Sequence, residues 1–162
     1  MISQAIEDRI INNWGTMAIV QSNHTVLQPW LQLNPEFLLP ISFFLRDTPG
    51  FYFDFLVCLT GVHYPQSAQM GVVYHLYSIP YNHRITLKVL APILTEKPPT
   101  FPSLCSVWHA AEWHEREAFD LFGIYFENHP DLRRILLPED WQGHPLRKDY
   151  QEPYSYHDIP HL

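Results

Sequence analysis

Ile2, Ile6, Ile10 and Trp14 recur at helical spacing. A first helix is therefore expected over about residues 3–13, with Ser3 as a cap and Gly15 as its stop. Residues 17–21 and 25–30 read as short strands, joined into a hairpin by the turn-like Ser22-Asn23-His24 corner. Asn34-Pro35-Glu36 opens a second helix: Asn caps, Pro fits the first turn, and Glu meets the positive end of the helix dipole. Its apolar stripe is Phe37, Ile41, Phe44 and Leu45, and Pro40 marks a kink or a later start. Residues 51–64 alternate, with Phe53, Phe55, Val57 and Leu59 on one face and Tyr52, Asp54, Cys58 and Thr60 on the other. Residues 72–79 and 84–91 read as two more strands. In the second, Ile85, Leu87, Val89 and Ala91 face inward while Arg84, Thr86 and Lys88 face out. Pro98-Pro99 and Pro102 form a stiff joint before a third helix over about residues 103–122, and everything after Gly123 reads as irregular.

Such alternation argues for strands with one wet face and one face covered by helices. The expected fold is α+β: an antiparallel or mixed sheet of about five strands covered by helices on one face. The expected organisation is a sandwich domain over residues 1–122 and an extended irregular C-terminal arm over 123–162, built for docking.

Composition narrows the function. With 46% apolar and 15% aromatic residues in 162, the chain can build one substantial core. The fifteen prolines fall mainly in the junctions and the last third, where stiff extended chain is expected. Residues 1–104 hold six acidic and five basic residues, residues 105–162 eleven and five, so the net charge of -7 sits on the C-terminal part. A nucleic-acid ligand would need a concentrated basic face, so none is expected. The longest apolar run, near residues 37–45, falls short of the about 20 residues a membrane span needs. The start, Met1-Ile2-Ser3-Gln4, reads as neither a signal peptide nor an Arg-rich transit peptide.

Candidate chemistry is sparse. Cys58 and Cys105 stand apart and read as buried small hydrophobes. Among ten histidines, His109 and His114 are five apart, off the spacing of a two-His helical site, and His157 and His161 flank Pro160. No metal site is expected from these spacings. His75 reads as bonded to a neighbouring tyrosine, and Asp54 and His63 read as structural. The six isolated glycines make neither a dinucleotide fingerprint nor a phosphate loop, and no nucleophile elbow is present. On the third helix Glu112, Arg116 and Asp120 lie at i, i+4 and i+8, a candidate charged ladder partly buried beneath the tail. Glu115 and Glu117 point about 200° apart, so they cannot work as a carboxylate pair. Arg133 and Arg134 are their natural counterparts, since buried charges must be paired. Gly123 reads as a helix C-terminal cap that turns residues 124–126 back along the domain.

Three blocks carry a family resemblance. They are Glu115-Arg116-Glu117 with Asp120, Leu121-Phe122 and Gly123; His129 with Arg133, Arg134 and Ile135-Leu136; and Gly143-His144-Pro145-Leu146-Arg147-Lys148-Asp149-Tyr150. In this order and spacing the chain resembles the 30-kDa-type subunit of respiratory complex I, the NADH–quinone oxidoreductase. One departure is that Gln151-Glu152 intervene before Pro153. The resemblance implies a non-catalytic subunit, peripheral on the cytoplasmic side of the inner membrane, in a complex that moves electrons from NADH to quinone and translocates protons. It implies docking onto the quinone-site 49-kDa-type subunit, with iron–sulfur subunits nearby. FMN, iron–sulfur clusters and quinone would belong to the complex and none to this chain. Arg133, Arg134, Arg147 and Lys148 would anchor partner carboxylates. The alternatives are an equivalent subunit of a ferredoxin-fed photosynthetic or membrane-bound hydrogenase-type complex, and a stand-alone metallohydrolase.

Overall fold

The first turns of the chain already show how the core is laid. In the computed structural model, which describes residues 2–157, 159 and 160, helix α1 spans Ile2–Trp14 and buries Ile6 and Ile10. Ser3 lies inside the helix, so it does not cap it, and Gly15 ends it at φ 81°. Strands β1 (Ile19–Asn23) and β2 (Trp30–Leu33) form the expected antiparallel pair. The second strand starts later than expected. The Asn23 side chain accepts from the N–H and hydroxyl of Thr25, which curls residues 24–29 into a loop and leaves Leu27 exposed. Asn34 caps as expected, accepting from Glu36 N, and Pro35–Phe37 make one 3-10 turn before helix α2, Leu38–Asp47. Pro40 falls in the first turn of α2, where its missing N–H costs no helical bond.

Strands β3 (Phe55–Tyr64), β4 (Gln69–Ser78) and β5 (His83–Pro92) complete a five-stranded sheet in the order β1-β2-β5-β4-β3. Neighbours run antiparallel except β2 and β5, which are parallel, so the sheet is mixed. Leu31, Leu33, Leu59, Met70, Val72, Tyr74, Leu76, Leu87 and Val89 are buried with Ile6 and Ile10 of α1 and Ile41 and Leu45 of α2. The opposite face carries Trp30, His75, Tyr77 and Lys88, all partly exposed. Strand β3 corrects the sequence reading. The register shifts between Leu56 and Cys58, so Val57 is an extra residue. This reverses the phase: Leu56 is buried, and Phe55 and Val57 face solvent. Thr86 also departs, being buried at 6% exposure.

The last third differs most from expectation. Thr100–Pro102 is strand β6 and helix α3 is shorter than expected, Ala111–Phe122. Residues 103–110 form turns instead, closed by Val107 N and Trp108 N on Leu104 O and by Ala111 N on Trp108 O, with Leu104 N on the Glu115 carboxylate and Cys105 N on the Ser103 hydroxyl. After Gly123 the chain is not all irregular. Strand β7, Tyr125–Glu127, runs parallel to β6, and β8 (Ser155–Tyr156) pairs with β9 (Ile159–Pro160). Ile124 and Phe126 enter the core.

Candidate functional site: a segment clasped to the third helix

Helix α3 needs a partner at its C-terminal end, because the last four carbonyls of any helix have no intrahelical donor. Gly123 supplies the first contact. At φ 71° it adopts the left-handed conformation that glycine tolerates best, and its N–H reaches the Phe119 carbonyl. The remaining three carbonyls are met by residues more than twenty positions along the chain. His144 Nδ1 donates to Asp120 O at 2.9 Å, Leu146 N to Leu121 O at 3.1 Å, and Arg147 Nε to Phe122 O at 2.6 Å. The Arg147 cation also sits at the negative end of the helix dipole. Burial, chiefly, holds the His144 imidazole below its usual pKa.

The last turn of α3 is clasped a second time through the side chain of Asp120, which is wholly buried. Its Oδ2 accepts from the N–H groups of Ile135, Leu136 and Leu137 at 3.1, 2.8 and 2.9 Å. Its Oδ1 accepts from Arg134 Nη1 at 2.9 Å. Burial alone would raise the Asp120 pKa, but the Leu137, Leu136 and Ile135 amides and the Arg134 guanidinium outweigh it and hold it below the usual value. Arg134 further donates to Trp141 O. Arg116, itself buried, donates to the carbonyls of Arg133 and Arg134 and lies over the Trp113 ring. His129 holds the Glu112 carbonyl at 3.0 Å.

These contacts bring together Arg116, Asp120, Gly123, His129, Arg134, His144 and Arg147, and they correct the expected pairings. The ladder Glu112–Arg116–Asp120 does not form, because Asp120 is taken by Arg134 and the guanidinium of Arg116 is taken by two carbonyls. Arg133 pairs with exposed Asp131, not with Glu115 or Glu117. Glu117 is exposed, while Glu115 points inward and is wholly buried. Burial, chiefly, raises the Glu115 pKa against the Leu104 N–H and the Ser103 hydroxyl. In the third block, which also holds Pro145, Gly143 packs against Tyr150, and Asp149 lies 3.7 Å from His63. A Cβ on Gly143 would press on the Tyr150 ring at 2.9 Å.

One anchor stood outside the sequence motifs. His63 of β3 is buried, and its Nδ1 accepts the Lys148 N–H at 3.0 Å, tying the segment to the sheet. Only an inward position on a strand next to α3 could have hinted at it. Asp54 has a structural contact, accepting from Ile79 N. His75 bonds to Thr86 rather than to a tyrosine. Cys58 and Cys105 are free and half-buried, each with a polar partner: Thr60 for Cys58, Glu115 for Cys105. His157 pairs with Asp140, and His161 lies outside the described residues.

Comparison with known proteins places this architecture. A chain of "Structure of the membrane-bound sulfane sulfur reductase (MBS), an archaeal respiratory membrane complex" superposes with a TM-score of 0.75 over 93% of this chain and 86% of that one. At 20% identity that likeness defines the fold alone. The family described as "Respiratory-chain NADH dehydrogenase, 30 Kd subunit" matches residues 31–156, and the chain belongs to that family. The C subunit of the NADH-quinone oxidoreductase of Chlorobium phaeobacteroides is 49% identical over 120 residues, 74% of this chain and 70% of that relative. Its counterpart from Chloroherpeton thalassium is 40% identical over 153 residues, 93% of this chain and 62% of that relative. Among the described residues no helix is long and apolar enough to cross a membrane.

Proposed function

We propose that the chain is a non-catalytic structural subunit of the peripheral arm of a complex I-type NADH–quinone oxidoreductase. In this reading it docks through residues 123–162 onto the quinone-site 49-kDa-type subunit. It sits peripherally on the cytoplasmic side of the inner membrane, near iron–sulfur subunits. FMN, iron–sulfur clusters and quinone are held elsewhere in the complex. The identity to NADH-quinone oxidoreductase subunits supports the family part of this reading.

The docking part rests on how residues 129–150 are built. Their chemically distinctive groups are turned inward to hold the segment on α3, while Leu136 and Leu146 stay 61% and 48% exposed along it. A segment held this firmly with apolar side chains outward is a preformed surface for another protein. Partner anchoring by basic residues then falls to exposed Lys148 and to Arg133, which is paired only at the surface with Asp131, since Arg134 and Arg147 are engaged with the helix.

The test is a double variant, Leu136→Gln with Leu146→Gln, expressed with the other subunits. Co-isolation with the 49-kDa-type subunit is expected to fall at least tenfold, the equivalent of about 1.4 kcal/mol, with unfolding of the isolated chain unchanged. Normal co-isolation would overturn docking through this segment.

A further inference from the structure

Asp120 and Glu115 are both wholly buried carboxylates on one helix, yet they are treated differently. Asp120 has a guanidinium and three amides. Glu115 has one amide, Leu104 N–H at 2.7 Å, the Ser103 hydroxyl and the Cys105 thiol at 3.5 Å, and no salt bridge among the described residues includes it. A buried carboxylate without a cation keeps its charge only at a cost. Beside it stands His129, so that one ligand atom each from Cys105, Glu115 and His129 lies within 4.8 Å of the others.

We propose that Cys105, Glu115 and His129 form a binding site for a borderline divalent cation, Zn2+ being the best match. Sulfur, imidazole nitrogen and carboxylate oxygen are the three ligand types zinc uses. The spacing fits: bond lengths of about 2.3 Å to sulfur and about 2.1 Å to oxygen put two tetrahedral ligands about 3.6 Å apart. The Cys105 sulfur and the nearer Glu115 oxygen are 3.5 Å apart. The ion supplies the positive charge that Glu115 lacks. The thiol loses its proton to solvent, and the imidazole gives up one of its two contacts, Asp131 N–H or Glu112 C=O. A ring that keeps its N–H on the Glu112 carbonyl has the backbone support usual for a ligating histidine. The three ligands come from the turns before α3, from α3, and from the turn after β7, so the ion ties the root of residues 123–162 to the helix. This does not depend on the docking reading.

The experiment uses the full chain stripped with a chelator and titrated with Co2+, then with Zn2+. One equivalent of Co2+ is expected, with a thiolate-to-cobalt charge-transfer band that Zn2+ abolishes. Cys58→Ser should keep the band and Cys105→Ser should lose it. Glu115→Gln and His129→Gln, checked for native unfolding without metal, should each weaken binding at least tenfold. The proposal is overturned by the absence of a stoichiometric band, by a band that follows Cys58 instead of Cys105, or by unchanged affinity in either the Glu115 or the His129 variant.

Discussion

Asp120 illustrates how a single side chain is bound into the fold. Three consecutive amides and one guanidinium converge on a carboxylate with no exposure, so its charged form is preferred in the folded state. Its folded pKa lies below the ordinary 3.8. A depressed carboxylate contributes stability that is present above the unfolded pKa and is lost as pH falls through the folded one. The difference in melting temperature between wild type and Asp120→Asn should therefore be flat from about pH 5 to 7 and shrink below about pH 4. Thermal unfolding of both proteins across that range checks it. A difference that grows on acidification would mean that the Asp120 contacts do not favour the charge.

At the scale of elements, helix α3 is placed by close approach at one end and by a turn at the other. A Cβ on Gly61 of β3 would stand 2.7 Å from the Phe122 ring, so the helix end rests on a strand position that has no side chain. Gly123 combines a φ of +71° with a site where a Cβ would meet His144 Nε2 at 2.5 Å and Arg147 Nη2 at 2.8 Å. Gly123→Ala should lose about 1–2 kcal/mol from the left-handed backbone alone. Displacing His144 and Arg147 should loosen residues 143–150 as well. Limited proteolysis is expected to cut this segment faster in the variant than a comparable core destabilisation would explain. Equal cutting would show that the segment is not held by the helix cap.

For the whole molecule, the clasp makes the C-terminal segment part of the folded unit. As an anchor for partner carboxylates, Arg134 would be expendable in the free chain. Here it pairs with buried Asp120 within the chain. Removing one member of a buried pair costs about 3–5 kcal/mol. In a chain of this size each kcal/mol is worth about 2–4 °C. Arg134→Glu should therefore lower the melting temperature of the isolated subunit by roughly 6 °C or more, and assembly yield should fall with it. An isolated variant as stable as wild type would show that the pair contributes nothing. The Leu136 and Leu146 substitutions act on the outer surface, so the two kinds of variant separate folding from docking.

Sequence alone determined much of this. Period and caps place α1, the Asn34 cap, β4, β5 and the Gly123 turn, because each follows from local backbone preference and from apolar spacing along one element. The spaced Glu-Arg-Glu, His-Pro and Gly-His-Pro blocks identify the family, and the family model matches the same stretch. Tertiary structure decided the rest. The bulge at Val57 reverses a strand's facing through pairing with β4, which no pattern along β3 reveals. Helix α3 begins at Ala111 because the chain before it closes only single turns, Val107 N and Trp108 N on Leu104 O and Ala111 N on Trp108 O, with Glu115 holding the Leu104 amide. Which carboxylate each basic residue meets depends on where the chain returns after Gly123. Charge pairing from sequence can state that partners are needed, but only the returning backbone, with its amides at Ile135–Leu137, determines that Asp120 receives Arg134 while Glu115 meets an amide, a hydroxyl and a thiol but no basic residue.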